Sequence, residues 1–395
     1  MKAYVVHNAS PLTPFKKSAS ELSFRHCTVA SRLKVQLAEN SLKVVSVDAL
    51  DITSVKPRSI VVQDDMFVSD SFLALFLKAI PDKRKNYQCM VETSHFSGAS
   101  SVSPESAIKK MPLFYYGEPS TSEILTDLMM TPEILFTVAE GMPPSMHIFK
   151  EMRIHMLEFY ALQIKYWFDL QTASTLYCRD FVTKMIRPAK FLPKKLVERA
   201  MNWKWMVEQG NSIGKNCHIH PTAILEGCVI GDNVSIGAYS YLRSSVIGDN
   251  TVLSEYSKVK MSYVGERAYI AGTDLLSCYI GDECSIITPI LYHAVFGQKS
   301  FVSGGSGFAD FNMGASAITA TIKGEDIPTG LDFIASCVGE NCFIGANMIF
   351  SPGKVIPDNT HLLDNGLIKN VPAEDGTYVL SGNKFLQIPN SFLGK

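Results

Sequence analysis

Aliphatic residues recur through the middle of the chain at steps of six, six and five: Ile213, Ile219, Leu225, then Ile230, Ile236, Leu242, then Ile247, Leu253, Val259, then Val264 and Ile270. Neither the 3.6-residue period of a helix nor the two-residue period of a strand produces this spacing. Four near-copies of one phrase ride on it: CVIGDN at 228–233, SVIGDN at 245–250, SYVGER at 262–267 and CYIGDE at 278–283, starting 17, 17 and 16 residues apart. A repeat of that length describes a solenoid, whose turns bury their apolar side only by stacking on one another. Three short strands per turn, each aiming one aliphatic inward, account for the hexads. The Gly-Asp pair after the aliphatic is expected to permit a left-handed corner backbone that bulkier residues resist. The pattern predicts a left-handed parallel β-helix of hexapeptide repeats over residues 211–372. The beat is lost at about 288–334, which is expected to project as an insertion, and resumes in CVGENCFIGANMIFSPGKVIP at 337–357. Residues 373–395 are left as a C-terminal tail.

The N-terminal text follows other rules. MKAYVV and SIVVQDDMFVS are short β-like runs bounded by turn residues, and SFLALFLKAI is helical in pattern, so residues 1–120 read as an α/β layer. Residues 121–210 read as a helical segment and linker. There SMHIFKEMRIHMLEFYALQIKYWFDL places Met146, Phe149, Met156, Leu157, Tyr160 and Ile164 on one broad helical face, with Ser145 as cap and His147 and His155 as ordinary helix residues. CRDFVTKMIRPAKFLPKKLVERAMNWKW is locally basic and reads as a solvated connecting helix.

Composition narrows the partners. A formal charge of −1 over 395 residues argues for neither nucleic acid nor a charged membrane surface. No apolar run reaches the roughly 18 residues of a membrane span, and the opening lacks the apolar stretch of a secretion signal, so a cytoplasmic location is expected. Nine cysteines without a Cys-x-x-Cys pair read as free thiols rather than disulfides or a zinc site. His218 and His220 in CHIHPT alternate across a strand and lack the further ligands of a metal site.

An α/β domain followed by such a β-helix resembles the sugar-phosphate nucleotidyltransferases, above all the two-domain enzymes that acetylate glucosamine-1-phosphate and then uridylylate it, with their archaeal relatives. The resemblance is best over residues 210–372. MKAYVVHNASPLTPF is similar to the family's opening, but the glycine-rich nucleotide loop between strand and Pro-Leu-Thr-Pro is missing, which makes the N-terminal domain a degenerate version. SIVVQDDMFVS looks like the strand that leads to the family's metal-binding aspartate. The resemblance implies Mg2+ at Asp64 or Asp65.

In the β-helix the resemblance places an arginine and a lysine one coil apart around the acceptor's phosphate and sugar. Arg243 in GAYSYLRSS and Lys260 in SKVKMSYVG fill those positions, and their 17-residue separation should stack them on one face. Tyr279 in SCYIGD matches the family's tyrosine, and Asn312 falls where further polar contacts to substrate are implied. The family's histidine base would fall on Leu276, or on Thr273 with a different gap; His293 in LYHAVFG is the substitute base within reach of that position. GANMIFSPG resembles the late coils that line an acyl-coenzyme A groove between subunits, and a homotrimer is implied.

Two functions follow. The first is a sugar-phosphate-binding transferase of nucleotide-sugar or amino-sugar metabolism, acyl-coenzyme A-dependent, with acetyl-coenzyme A as a donor. The second is a non-catalytic regulatory or scaffold subunit that keeps the fold.

Overall fold

The computed structural model describes residues 1–93, 108–117, 125–141, 151–186, 210–312, 318–363, 366–368, 371–381 and 384–389. The chain divides into two compact units, one of Met1–Leu12 with Lys17–Lys165, the other of Thr13–Lys16 with Tyr166–Lys395.

In the first unit the β-rich runs assemble into one six-stranded sheet, ordered 43–47, 2–6, 59–63, 108–116, 87–92, 126–130. Lys2–Val6 lies parallel between Lys43–Val47 and Ser59–Gln63, while Ile108–Tyr116 runs antiparallel to Ser59–Gln63. Helix α1, Val29–Glu39, starts where the Thr28 hydroxyl accepts the Ser31 N–H at 3.1 Å, and it buries Val29, Leu33 and Leu37. Helix α2, Phe72–Ala79, buries Phe72, Leu73 and Phe76. The α/β expectation for this region is met.

Over the described part of the expected helix, residues 151–164, no helix is formed. Ile134–Gly141 and Glu151–Leu157 pair as antiparallel strands, and Ala161–Gln163 pairs with Met66–Val68. MRIHML alternates apolar and polar residues as well as it fits a helical face, so a short run of this kind satisfies both periods and pairing decides. Ser145, Met146, His147 and Phe149 lie outside the described residues, as does the basic stretch beyond Ile186 as far as 209. The helix of this region, α3, spans Trp167–Ile186.

The second unit is built on a three-faced coil. Its first face stacks eight parallel strands from Ser212–Ile213 to Lys354–Ile356, and its second runs from His218–Ile219 to the closing hairpin Gly376–Ser381 and Lys384–Ile388. The third face stacks Ile224–Glu226, Tyr241–Arg243, Lys258–Lys260, Asp274–Leu276 and Ile290–Tyr292, then a three-stranded set at 307–308, 348–350 and 366–368. Parallel strands carrying hexapeptide repeats fit the left-handed β-helix. Ile230, Ile247, Val264 and Ile280 stack in register down the first face, and Leu242, Val259, Leu275 and Leu291 down the third, all within one buried core. Each such side chain contributes about 1.5–3 kcal/mol on removal from water.

The repeated phrase makes corners, but the division of labour differs from expectation. The left-handed backbone falls two residues after the glycine, at Asn233, Asn250, Arg267 and Glu283, with φ of 57°, 58°, 54° and 59°. Glycine is required for space: a Cβ on Gly248 would lie 2.6 Å from the amide nitrogen of Glu266 in the next coil. The aspartate joins coils, since Asp249 accepts the Asp232 N–H at 2.9 Å and Asp282 accepts the Glu266 N–H at 2.9 Å. Asn233 and Asn250 continue the ladder through their side-chain amides at 3.2 Å.

The coil also persists further than the fading beat implied. Strands at 290–292, 295–296, 301–302 and 307–308 all pair with the turn below or above, and only the segment after Phe308 departs, as the hairpin Thr319–Ile322 with Glu325–Pro328. The beat is obscured because Phe296 and Phe308 replace the branched aliphatics in the core. All nine cysteines are free thiols, and among the described residues no helix is long and apolar enough to cross a membrane.

Candidate functional site

The outward positions of the third face form a column in which Glu226, Arg243, Lys260, Leu276 and Tyr292 are successive register partners. One coil of spacing therefore brings Arg243 and Lys260 together on one face. Each cation already has an acid beside it. Arg243 donates from Nε to Glu226 Oε2 at 2.7 Å, with the Tyr241 hydroxyl donating to the same oxygen at 2.6 Å and the guanidinium 5.3 Å from the Tyr241 ring. Lys260 Nζ lies 3.1 Å from Asp274 Oδ1 as an ion pair, and 5.6 Å from the Tyr292 ring. Burial, and then the Asp274 carboxylate, push the Tyr292 phenol up to about 12, so it remains a hydrogen-bond donor across the physiological range.

Just past Tyr292 the chain turns the corner between the third and first faces at His293, in the left-handed region with φ 52°. Its backbone is pinned on both sides, by donation to Leu276 O at 2.8 Å and acceptance from the Ala335 N–H at 3.0 Å. The imidazole stacks on Phe333 at 5.5 Å, and Nδ1 lies 2.7 Å from Asp310 Oδ2. With Asp310 ionised, Nδ1 carries the hydrogen and Nε2 keeps its lone pair, the tautomer a proton acceptor needs. Both side chains are mostly covered, at 17% and 22% exposed, so their interaction is less screened than a surface pair. Asp310 and Phe333 belong to the excursion that leaves the coil after Phe308 and returns at Ala335. Asn312 is in the same excursion, half-buried, two residues past Asp310.

Tyr279 is elsewhere. It lies on the first face beneath α3, buried, stacked on Tyr263 at 5.2 Å. Gln171 and Ser174 of α3 fasten that cover by donating to Ser277 O at 2.7 Å and Cys278 O at 3.2 Å. Burial raises the Tyr279 phenol far above its ordinary value. Leu276, at the family's histidine position, stands in the third-face column between Lys260 and Tyr292. Thr273 is buried. Glu226, Asp274, Tyr292 and Asp310 are not singled out by the motifs; Glu226 precedes Arg243 by the 17 residues that the repeat uses, a signal that points to it, whereas Asp310 lies in the excursion, where no repeat applies.

In the N-terminal unit Asp64 and Asp65 follow Ser59–Gln63, beside the end of Lys2–Val6. Asp64 accepts from His7 Nδ1 at 2.6 Å and from the Asn8 N–H at 2.9 Å, and Asp65 Oδ2 accepts from Asn8 Nδ2 at 2.8 Å and Gln163 Nε2 at 2.9 Å. Only Asp65 Oδ1 is left without a partner, and burial raises that carboxyl. Mg2+ requires several converging oxygen ligands. Carboxylates occupied by His7, Asn8 and Gln163 do not fit that requirement, and no group of three or more His, Cys, Asp or Glu among the described residues is arranged to hold a metal. His218 and His220 on the first coil are exposed, with His220 Nδ1 2.9 Å from the Thr222 hydroxyl.

The fold and this face define a hexapeptide-repeat β-helix with a charged, partly covered column. The family described as bacterial transferase hexapeptide (six repeats) matches residues 212–244 and 227–260, within the coils that carry Arg243 and Lys260. Among solved structures the chain is similar to that of the polysialic acid O-acetyltransferase OatWY, at 17% identity and TM-score 0.21 over 45% of this chain and 87% of that one. It is also similar to a hexapeptide transferase family protein from Anaplasma phagocytophilum, at 18% identity and TM-score 0.22 over 46% and 81%. No curated protein matches the chain.

Proposed function

We propose that the β-helix unit is an acyl-coenzyme A-dependent acyltransferase acting on a sugar phosphate, with acetyl-coenzyme A as one donor. The observation that carries this reading is the His293–Asp310 pair, whose 2.7 Å contact leaves Nε2 as a free base beside a column of cations. Acyl transfer to an amine or hydroxyl needs a group to take the acceptor's proton, and His293 Nε2 takes it. Asp310 then stabilises the imidazolium and holds the ring in the productive tautomer. Arg243 and Lys260 draw the acceptor's anionic group, exchanging Glu226 and Asp274 for phosphate oxygens, and Tyr292 donates a hydrogen bond alongside Lys260. Bound acyl-coenzyme A supplies an activated carbonyl. The family resemblance further supports a homotrimer, a place in amino-sugar or nucleotide-sugar metabolism in the cytoplasm, and a nucleotidyltransferase-like ancestry for the N-terminal unit.

One observation favours the second reading, a non-catalytic scaffold or regulatory subunit: both cations have an acid partner within the chain, at 2.7 and 3.1 Å. Thiol release from acetyl-coenzyme A in the presence of hexose-1-phosphates and amino-sugar phosphates separates the two. Turnover that falls 10²- to 10⁴-fold in His293→Ala supports the enzyme. Wild-type protein that releases no thiol with any acceptor, and shows no thermal shift with acetyl-coenzyme A, is the scaffold.

A further inference from the structure

The corner between the second and third faces carries two tyrosines that no part of the proton-transfer site uses. Tyr239 and Tyr256 lie on successive coils, their rings stacked 5.4 Å apart at 15°, and they are 60% and 65% exposed. Among the described residues they are the two most exposed of the large hydrophobic side chains, and they are stacked on each other.

The coil itself shapes what lies beside them. Four residues turn this corner in the coils of Tyr239 (237–240) and Tyr256 (254–257), whereas three suffice in the next two, 271–273 and 287–289. The corner therefore retreats by one residue directly beyond Tyr256. The equivalent corner position of the next coil is Gly272, at φ +63°, where an added Cβ would have only Glu255 O as a neighbour, at 3.3 Å. Tyr239 stacks on Tyr256 from the preceding coil, and the corner of the following coil carries no side chain at the matching position. This is an aromatic ledge at the end of a strip of groups that both donate and accept hydrogen bonds: Glu255 and Lys258 in the coil of Tyr256, and Asp274 in the next, 3.9 Å from Lys258 Nζ.

We infer that the Tyr239–Tyr256 ledge is a stacking subsite for a pyranose ring, and that the acceptor carried by the third face contains at least two sugar rings. An aromatic face is negative and attracts the C–H face of a sugar, while Lys258, Asp274 and Glu255 suit hydroxyls that donate as well as accept. The ledge is continuous with the cation column, because Tyr239, Tyr241 and Arg243 are outward positions of one strand and its corner, as are Tyr256, Lys258 and Lys260. At about 3.3 Å per residue the four-residue step from ledge to cation spans up to roughly 13 Å, a reach that a glycan of two rings bearing an anionic group can cover. A protein partner suits this corner less well. Stable interfaces cover about 800 Å² on each side, and a convex edge bearing two rings offers far less.

The inference rests on reading the third face as the acceptor site, but not on acyl transfer. It is tested with the full chain and an array of one- to six-ring glycans, neutral and bearing carboxylate, sulfate or phosphate, followed by calorimetry on the glycan retained most tightly. Retention should rise from one ring to two or more, and Tyr256→Ala should weaken binding at least tenfold, with Tyr239→Ala weaker in effect and the melting temperature unchanged in both. Retention that is equal for one-ring glycans, indifferent to Tyr256→Ala, or nil across the array overturns the proposal. So does a Tyr239→Ala/Tyr256→Ala protein that loses an oligomer in sedimentation while keeping glycan affinity, because the rings would then belong to a contact between copies. If glycan binding depends on Tyr256 and no thiol is ever released from acetyl-coenzyme A, the acyltransferase reading falls and the ledge stands.

Discussion

The first and third faces of the coil are products of one repeat, yet they have opposite fates. On the first face Tyr263 and Tyr279 are outward residues that α3 has turned into core. On the third face the equivalent outward residues are the buried Glu226 and the half-open Arg243, Lys260 and Tyr292, three of them charged. A solenoid treats its three faces alike as far as the inward aliphatics are concerned. What distinguishes them is chain from outside the repeat: a helix closes one, and an excursion supplies Asp310 and Phe333 to the edge of the other.

That contrast can be broken by mutation. Tyr279→Ala should be the most damaging change, costing roughly 3–5 kcal/mol because α3 cannot collapse into the space of a buried ring; chemical denaturation reads it. Lys258→Ala, on the open face, should stay within about 0.5 kcal/mol of wild type in the same experiment. If the two variants melt alike, α3 is not the cover described here.

A second pair of variants separates chemistry from fold. Asp310→Asn should lower the rate of acyl transfer by about 10²-fold, since the amide no longer holds the ring in the productive tautomer. Its melting temperature should move by only a degree or two. A rate within about twofold of wild type would remove Asp310 from the proposed role.

Smaller effects are expected among the ion pairs. Glu226→Gln releases Arg243, so affinity for a phosphate-bearing acceptor should rise about fivefold while stability falls by about 1 kcal/mol, both seen in titration calorimetry and melting. Alkaline denaturation should then rank the two faces. Both phenols have folded-state values above the ordinary 10.0, so they protect the fold fully below that value. As the pH rises the unfolded phenols ionise first, and stability is lost, for Tyr292 between about 10 and about 12. Tyr279→Phe should flatten the loss more than Tyr292→Phe, because the covered ring is shifted further.

The parts of the molecule that could be read from sequence are those governed by the pitch. Ile230, Ile247 and Val264 announce the coil, and the same arithmetic puts Arg243 beside Lys260. Tyr279 was misplaced because a motif match fixes a position along the coil without saying what covers that face; the cover is α3, some hundred residues earlier. His293 was legible as a histidine near the right coil, but its tautomer depends on Asp310, which lies in an excursion with no period. MRIHML was read as helix because six residues satisfy two periods at once. Asp64 and Asp65 looked like ligands since sequence shows acids, not the His7, Asn8 and Gln163 side chains that occupy them.

The excursion between Phe308 and Ala335 has a consequence for how such a protein can change. The strand that follows it, 336–338, pairs directly with 295–296 of the preceding coil in the first-face ladder, so the scaffold closes as though nothing intervened. The Asp310 carboxylate that contacts His293 is thus borne on a detachable cassette. A new cassette of any length could be grafted between the same two anchor points, exchanging one chemistry for another while the prism that presents it is inherited intact.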